Sequence, residues 1–588
     1  MEHNKKITPI LRPICCGCLL AINGAVMAAP PASQEQFGPG GEQLGIPKLE
    51  DSTDIPTFQL PALRKPSQQA NANALKILVK NIELTGNTVF SDEELAKITA
   101  PYTNKVLTTV EIQEIRQKLT LYYINNGYIN SGAILPDQKI TNGIVKMTIV
   151  EGELTRIDVS GNTGVNTDYI SERLALGGVT PLNLKSLQQH LRFMQQNPLI
   201  KQVNAKLNPG SKPGESILNV LVEENSPYSF AAYVNNFRSP SIGAIGLGIE
   251  AIDRNLTGRG DAVSLTLTKS EGLESGAFSY SLPLNAQETT LKIRYSTSQS
   301  EVIEEPFSAI GIESEADTIG VELTHPVVKT ADTTVVLGIG FDKRKSQSFL
   351  LEQPFSFSLG TDDGESRVTV MRLTQQYNKR SQNEAISLRS IFSFGLDAFD
   401  ATIHTDADIA RVCGATASRD TCPDGDFSAW LGQASYVRRF NALERSMNII
   451  LRANAQIASE SLLPVEQFSI GGARTVRGYR ENQLVRDNGV VASAELRIPV
   501  IIGGDDAGKG GYPIQLVPFV DYGRSWNDGR TTPEPSTLSS VGLGLLWNPD
   551  RHWSMEVYAA QNFHEIKDES DEYDLQDIGI HFQMSYRY

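Results

Sequence analysis

From Tyr228 to the C-terminus, the chain consists largely of segments in which apolar and polar residues alternate. In "DAVSLTLTKS", residues 261–270, and in "SMNIILRANAQIA", residues 446–458, every second residue is apolar over most of the segment. Successive side chains of a strand point to opposite faces, so these segments predict strands with one apolar and one polar face. Strands of this kind are typical of a transmembrane β-barrel with lipid outside and a polar interior.

The length of this region predicts the number of strands. Residues 226–588, divided into strand-plus-turn units of roughly 20 to 25 residues, give about 14 to 18 strands. Bacterial single-chain barrels have an even number, and we predict 16 antiparallel strands. A soluble β-sandwich or a secreted β-solenoid would also alternate, but sandwich strands are shorter, near five or six residues. We therefore favour the barrel.

The last strand carries its aromatic residues on the apolar face. In "IGIHFQMSYRY", residues 578–588, these are Phe582, Tyr586 and Tyr588. Aromatic side chains of membrane barrels concentrate at the two membrane–water interfaces. We interpret the three residues as a C-terminal strand signal that ends at the interface.

The N-terminus has the order of features of a secretory signal peptide. Lys5, Lys6 and Arg12 precede an apolar run that ends near Met27, and "AVMAAP" offers a cleavage site. The run is too short to cross a bilayer comfortably, so we predict that residues 1–29 are removed after export. The alternative is a buried N-terminal helix. No second long apolar run follows, which excludes helical membrane spans from the mature chain.

Two cysteines remain after the predicted signal peptide. Cys413 and Cys422 lie in the polar stretch "RVCGATASRDTCPDG". Two nearby cysteines in an exported chain favour a disulfide, and the stretch holds too few ligands for a metal site. We predict no metal and no cofactor.

Composition and motifs argue against two classes of function. The net charge of −15 does not suit a nucleic-acid-binding protein. The seven histidines form no HExxH motif, and no GxSxG nucleophile motif is present, so an enzyme is the least favoured class.

An internal repeat precedes the alternating region. "IELTGNTVFSDEEL" begins at Ile82 and "IDVSGNTGVNTDYI" begins at Ile157. Each copy starts as a strand that runs into a Gly-Asn turn, continues with helical patterning and closes on strands. We predict two small α+β modules, residues 76–152 and 153–225. An uncovered edge of their sheets could accept an extended polypeptide.

The first module also predicts a specific helix. Thr108 and Glu111 have capping-box spacing, and an apolar face follows. That face comprises Ile112, Ile115, Leu119 and Tyr122. Residues 30–75, before the module, are rich in Pro, Gly, Gln and Ser, and we interpret them as a linker or mobile arm with room for at most a short helix.

"GGARTVRGYR", residues 471–480, lies between strands and places an arginine among glycines. A loop of this composition can fold back into the barrel, where Arg477 would require an acidic partner. In "LVPFVDYGRSW", residues 516–526, Phe519, Asp521 and Gly523 share one face. Asp521 can therefore point inward and bind the guanidinium through two bonds, while Gly523 leaves space for the loop.

A signal peptide, two repeated modules, a barrel, a "VRGY" loop and an "FxDxG" strand together resemble the transporter component of two-partner secretion. Its modules are polypeptide-transport-associated (POTRA) domains, and the resemblance covers about residues 76–588. It implies a lumenal loop and a docking site on the barrel wall. The loop tip would be Val476, Arg477, Gly478 and Tyr479, and the docking site would be Phe519, Asp521 and Gly523. In this family a helix before the modules can plug the pore, which would place it in residues 30–75.

The resemblance implies export of a large β-helical exoprotein, an adhesin or haemolysin, across the outer membrane. The modules would bind the unfolded client in the periplasm, and folding outside the cell would drive transport without ATP. Other implied partners are outer-membrane lipid and, during biogenesis, periplasmic chaperones and the barrel-assembly machinery. Two alternatives remain: an outer-membrane insertase of the same superfamily, which typically carries more modules, and a passive porin, which lacks such modules.

Overall fold

The computed structural model describes residues 44–50, 57–59, 76–500, 514–566 and 573–588. The predicted signal peptide and most of the predicted arm, including any plug helix before Leu44, lie outside the described residues. Within the described ranges, no helix combines the length and the apolar character needed to cross a membrane.

The first module contains two helices, a three-stranded sheet and a separate strand pair. After the short strand β1 (Thr57–Gln59), its elements are β2 (Lys76–Val79), β3 (Asn81–Thr85), α1 (Asp92–Thr99), β4 (Lys105–Thr108), α2 (Thr109–Asn125), β5 (Gly132–Ile134) and β6 (Ile144–Val150). In the sheet, β6 lies between β3, which is parallel to it, and β5, which is antiparallel. Strands β2 and β4 form the separate antiparallel pair.

Helix α2 begins at the predicted capping box. Thr108 Oγ1 accepts a hydrogen bond from the Glu111 N–H at 3.2 Å, and the Glu111 carboxylate accepts one from the Thr108 N–H at 2.6 Å. The predicted apolar face packs into the module core except at its last position. At that position Tyr122 is only partly buried, and the next residue, Tyr123, is fully buried instead. Positions i+3 and i+4 from Leu119 both lie next to it on the helix surface, so the apolar spacing alone did not distinguish the two tyrosines.

The second module repeats this arrangement with longer strands. Its elements are β7 (Glu153–Ser160), α3 (Thr167–Ala175), α4 (Leu184–Gln195), β8 (Ile200–Pro209) and β9 (Glu215–Glu224). As in the first module, the opening strand runs parallel to the last, and the strand before the last is antiparallel to it. Leu187, Leu191 and Met194 of α4 are buried against the sheet.

The arm contributes a strand that the sequence did not predict. Strand β1 pairs in parallel with β8 and becomes the edge of the second module's sheet, with Phe58 opposite Ala205. Phe58 packs against the module core. Edge strands present unpaired N–H and C=O groups, and these groups of β8 are covered here by the chain's own arm.

Both Gly-Asn turns are held by a carboxylate from the module's last strand region. Glu151 accepts hydrogen bonds from the N–H groups of Thr88 (2.7 Å) and Val89 (3.0 Å), and Glu224 accepts bonds from the three N–H groups of residues 163–165. Partial burial of each carboxyl opposes ionisation, but the turn donors outweigh it and lower the pKa of both glutamates. In each module, the Gly-Asn turn is therefore hydrogen-bonded to a glutamate at the end of the last strand.

The described residues between 228 and 588 form a closed antiparallel barrel of sixteen wall strands, as predicted. The wall strands of the first half are β10 (Tyr228–Asn235), β11 (Gly246–Asp253), β12 (Ala262–Lys269), β13 (Leu273–Pro283), β14 (Thr290–Glu301), β15 (Ile312–Lys329) and β16 (Thr333–Leu350), with the two-residue β17 (Gln353–Pro354) attached to β16, and then β18 (Glu365–Arg380).

The second half of the wall contains β19 (Glu384–Leu396), β20 (Ser428–Ala442), β21 (Arg445–Ala458), β24 (Asn488–Val500), β25 (Ile514–Trp526), β26 (Thr537–Trp547), β27 (Trp553–Asn562) and β28 (Ile580–Arg587). Helix α5 (Asp406–Val412) lies between β19 and β20, and the short strands β22 (Phe468–Ile470) and β23 (Leu484–Arg486) pair with each other outside the wall ladder. Strand β28 pairs with β10 and closes the barrel.

The two faces of the wall follow the sequence pattern. Leu265 and Leu267 of β12 are exposed on the outer surface. In β25, Val520 and Tyr522 are exposed, whereas Asp521 between them is completely buried. The apolar face of the barrel therefore points outward and the polar face inward, as a lipid environment requires.

The C-terminal aromatic residues lie along β28 and its end. The Phe582 N–H donates to Asn236 Oδ1 at 2.8 Å, and the Tyr586 ring packs against Trp553. Tyr588 follows the last strand residue, is exposed, and pairs through its backbone with Phe230 of β10.

The modules lie at one end of the barrel. The Asn166 N–H donates to Gly258 O at 2.8 Å, and the Asn255 side chain donates to Gly164 O at 2.9 Å, so the second module contacts the β11–β12 connection. Cys413 and Cys422 form a disulfide in the β19–β20 connection. In an antiparallel barrel that begins at the module end, this connection lies at the far end.

Candidate functional site

The β21–β24 connection leaves the wall at the far end and folds back into the lumen. It contains the β22–β23 pair and, between these strands, the "VRGY" segment. All four residues of the segment are buried: Val476, Arg477, Gly478 and Tyr479. The connection is called the lumenal loop below, and it comprises residues 459–487.

The side chain of Arg477 lies against Asp521 on β25. Arg477 Nε donates to Asp521 Oδ2 at 2.8 Å, and Nη2 donates to Oδ1 at 2.9 Å. The backbone N–H of Arg477 donates to Oδ2 at 3.1 Å. The carboxylate thus binds the guanidinium through two parallel bonds and also binds the backbone, which sets both the position and the orientation of the loop.

A second carboxylate and two aromatic rings complete the surroundings of the guanidinium. Arg477 Nη1 donates to Glu495 Oε2 at 3.2 Å, and Nη2 donates to Ser493 Oγ at 3.1 Å. The central guanidinium carbon lies 3.5 Å from the centroid of the Phe519 ring and 4.9 Å from that of Tyr558. Arg477 is therefore buried with charged, polar and π partners on the barrel wall.

Glu495 and Ser493 were missed in the sequence, although the strand pattern contained a usable signal. Both alternate with alanines in "VASAELR", and the register of β24 and β25 sets Ser493 opposite Asp521. Glu495 is also shared with two other arginines, since it accepts from Arg452 and Arg497. The wall site thus contains two carboxylates and three guanidinium groups.

Two glycines permit the close contact between loop and wall. A Cβ at Gly523 would lie 2.8 Å from Val476 Cγ2, so a larger residue there would displace the loop. Gly478 has a φ of +93°, and a Cβ there would lie 2.9 Å from the Cβ of Ala560. Glycine is favoured at Gly478 both by its left-handed backbone and by the lack of space.

Tyr479 fixes the loop to the next part of the wall. Its hydroxyl donates to Ser539 O at 3.0 Å and lies within 3.2 Å of the His564 N–H, which donates to it. The ring is buried with the apolar residues of β22 and β23. The four residues that the sequence singled out thus all contact the wall.

A second group of charges, also missed in the sequence, holds the start of the lumenal loop. Glu466 accepts bonds from Arg372 at 2.8 and 3.0 Å and from Arg344 at 2.9 Å. Asp342 accepts from Arg372 at 2.9 Å. These arginines lie on β16 and β18, so the loop is bound to a second part of the wall, separate from the β24–β25 site.

The described ranges contain no group of three or more His, Cys, Asp or Glu residues arranged to hold a metal ion. The charged groups of the loop pair with oppositely charged groups of the wall. This arrangement can position a loop inside a channel, and it presents no nucleophile paired with a base.

Comparison with known sequences decides the family. The sequence profile of the haemolysin secretion/activation proteins ShlB/FhaC/HecB matches residues 214–546, more than half of the chain. The chain belongs to the ShlB/FhaC/HecB family. The profile of the ShlB-type POTRA domain matches residues 77–152, which is the first module.

Individual relatives align with most of this chain. The outer membrane transporter CdiB of Dickeya dadantii (strain 3937) is 23% identical over 488 residues, 79% of each chain. The heme/hemopexin transporter protein HuxB of Haemophilus influenzae (strain 86-028NP) is 21% identical over 535 residues, 87% of this chain and 88% of HuxB.

Solved structures show the same fold. The structure of CdiB from Escherichia coli aligns with a TM-score of 0.65 at 21% identity and covers 89% of this chain and 93% of CdiB. This ShlB/FhaC/HecB family member is thus an outer-membrane transporter whose POTRA modules lie in the periplasm. The far end of the barrel, with the disulfide, is the extracellular end.

Proposed function

We propose that the chain binds an unfolded exoprotein in the periplasm through two POTRA domains, residues 76–152 and 153–225, and moves it through the barrel, residues 226–588. The lumenal loop, docked on Asp521, sets the conformation that permits transport. The observation that carries the proposal is the buried Arg477–Asp521 contact inside a barrel whose periplasmic rim contacts the second module.

Client binding by the modules is supported by their exposed strands. Leu78 of β2 and Val106 of β4 lie directly opposite each other and are 50% and 60% exposed. An extended apolar segment of a client can bind such a surface, and its backbone can add to a sheet edge. The client that fits these surfaces is a long unfolded chain of alternating sequence, such as a β-helical adhesin or haemolysin before it folds.

The periplasm contains no ATP to drive transport. Folding of the client outside the cell therefore makes its transport one-way. Residues 1–29 are removed on export, and residues 30–75 act as an arm whose strand β1 rests on the second module. Outer-membrane lipid surrounds the apolar outer face, and periplasmic chaperones and the barrel-assembly machinery insert the chain.

The function is tested in a Gram-negative host that produces the chain together with a large β-helical exoprotein from the same source. We expect the exoprotein on the cell surface or in the medium with the chain, and degraded in the periplasm without it. The measurement is an immunoblot of cell fractions. An insertase would instead change the amount of other assembled barrels, and a porin would admit small solutes while the exoprotein stayed inside. Either result would contradict the proposal.

The topology makes a separate prediction. Residues 76–225 should resist protease added to intact cells, because they lie in the periplasm. Cys413 and Cys422 should fail to react with a membrane-impermeant thiol reagent until a reductant is added, because the disulfide blocks both thiols. Labelling after reduction on intact cells serves as the control for surface exposure. Digestion of the modules on intact cells would reverse the orientation.

A further inference from the structure

The strand pair that closes the barrel has the shortest ladder in the described wall. Strands β10 and β28 share five directly opposed residue pairs, from Ala231–Arg587 to Asn235–Gln583. Every other pair of neighbouring wall strands shares seven or more. We call the β10–β28 pair the closing seam.

At the extracellular end, side chains join the two sides of the seam where the ladder ends. Gln576, which precedes β28 and is completely buried, donates from Nε2 to Asn236 O at 2.7 Å and to Arg238 O at 2.6 Å. In return, Asn236 Nδ2 donates to Ile580 O at 2.9 Å. These bonds connect the segment before β28 and the start of β28 with the segment that follows β10.

Residues 478–481 of the lumenal loop bind the same segment. The Glu481 N–H donates to Gln576 Oε1 at 2.8 Å. The side-chain amide of Gln576 therefore binds the lumenal loop through its oxygen and the β10–β11 connection through its nitrogen. Arg480 binds both carboxylate oxygens of Asp577, with Nη2 2.8 Å from Oδ2. The Gly478 N–H donates to Nε2 of His581 on β28 at 3.3 Å.

From these contacts we propose that residues 478–481 of the lumenal loop hold the closing seam together, with Gln576 and Asp577 as the positioning residues. The inference goes beyond the export function, because it assigns the loop a second role in holding the barrel closed. The Arg477 site binds the loop to β24 and β25, whereas Arg480 and Glu481 bind it to the seam. Because the two attachments lie only three to four residues apart, the position of the loop and the closure of the seam are coupled.

The test uses the full chain, purified from outer membranes. Asp577→Asn keeps the shape of the side chain but removes the charge that binds Arg480. We expect the barrel to lose its compact, heat-modifiable form at a lower temperature on SDS gels. Asp362→Asn is the matched control, because Asp362 also binds an arginine, Arg411, through both oxygens, but in the extracellular loops. It should leave that temperature unchanged.

A disulfide across the seam distinguishes fastening from general stabilisation. Tyr233 and Ser585 are directly opposed across the seam, and Ser264 and Ser279 are directly opposed on β12 and β13. Cysteines at Tyr233 and Ser585 should restore the wild-type temperature to Asp577→Asn, whereas cysteines at Ser264 and Ser279 should not. The wild-type chain with each pair provides the reference.

Three results would overturn the inference. They are an unchanged temperature in Asp577→Asn, restoration by both cysteine pairs to the same extent, and restoration by neither. If Asp577→Asn does not assemble, Arg480→Lys replaces it with the same measurements, since an ammonium lacks the planar fork of N–H donors that binds both oxygens of Asp577 in parallel. Glu304→Gln, which removes the other carboxylate that Arg480 binds at 2.9 Å, is its control.

Discussion

Replacing Arg477 with alanine should reduce export of the exoprotein at least tenfold while the barrel still assembles in the outer membrane. The change removes the guanidinium that binds Asp521 at 2.8 and 2.9 Å and leaves a buried carboxylate without it. Breaking a buried pair typically costs about 3–5 kcal/mol, and water in the lumen lowers that cost. Because about 1.4 kcal/mol corresponds to a factor of ten, a tenfold loss of the docked loop is a conservative expectation.

A double-mutant cycle isolates the shared contact. Asp521→Ala should produce a similar defect, and the double variant should be scarcely worse than either single variant. Arg477→Lys should be intermediate, because an ammonium keeps the charge but lacks the planar fork of N–H donors that binds the two carboxylate oxygens in parallel. The measurement is exoprotein in the medium, normalised to heat-modifiable barrel in the membrane.

Arg474→Ala is the control within the same loop. Arg474 is exposed, in contrast to Arg477, and its guanidinium lies over the Phe237 ring rather than against Asp521. It should export at close to the wild-type level. Additive losses in the double variant, or normal export by Arg477→Ala, would show that the arginine does not act through Asp521.

Deletion of residues 76–152 should abolish export and leave an assembled barrel. The first module has a hydrophobic core of its own, separate from that of the second module. The second module carries the described contacts to the β11–β12 connection, including that of Asn166 to Gly258, and these contacts remain after the deletion. Export is measured as before, and barrel assembly is measured by heat-modifiability.

A smaller change tests binding without removing a domain. Leu78→Ser combined with Val106→Ser makes the exposed β2–β4 pair polar and should reduce export severalfold. Val179→Ser, at an exposed apolar position of the second module outside that pair, is the matched control. Normal export by the variant that lacks residues 76–152 would show that export does not require client binding by the first module.

The sequence alone predicted those features that depend on a local period or spacing. Alternation along each strand predicted the barrel and its lipid-facing side, and the "GNT" repeat predicted the two modules. The face shared by Phe519, Asp521 and Gly523 follows from the two-residue period of a strand, and so does the choice of Asp521 as the partner of Arg477.

The tertiary structure alone decided which distant charges and edges meet. Glu466 binds Arg372 across 94 residues of sequence, and Gln576 bonds to the carbonyl of Asn236 across 340. Strand β1 lies on β8, although its own sequence shows no strand period. Such contacts depend on the stagger of the closed wall and on the path of the loop through the lumen. Neither produces a periodic pattern in the sequence, because each contact requires only one residue from each of the two segments.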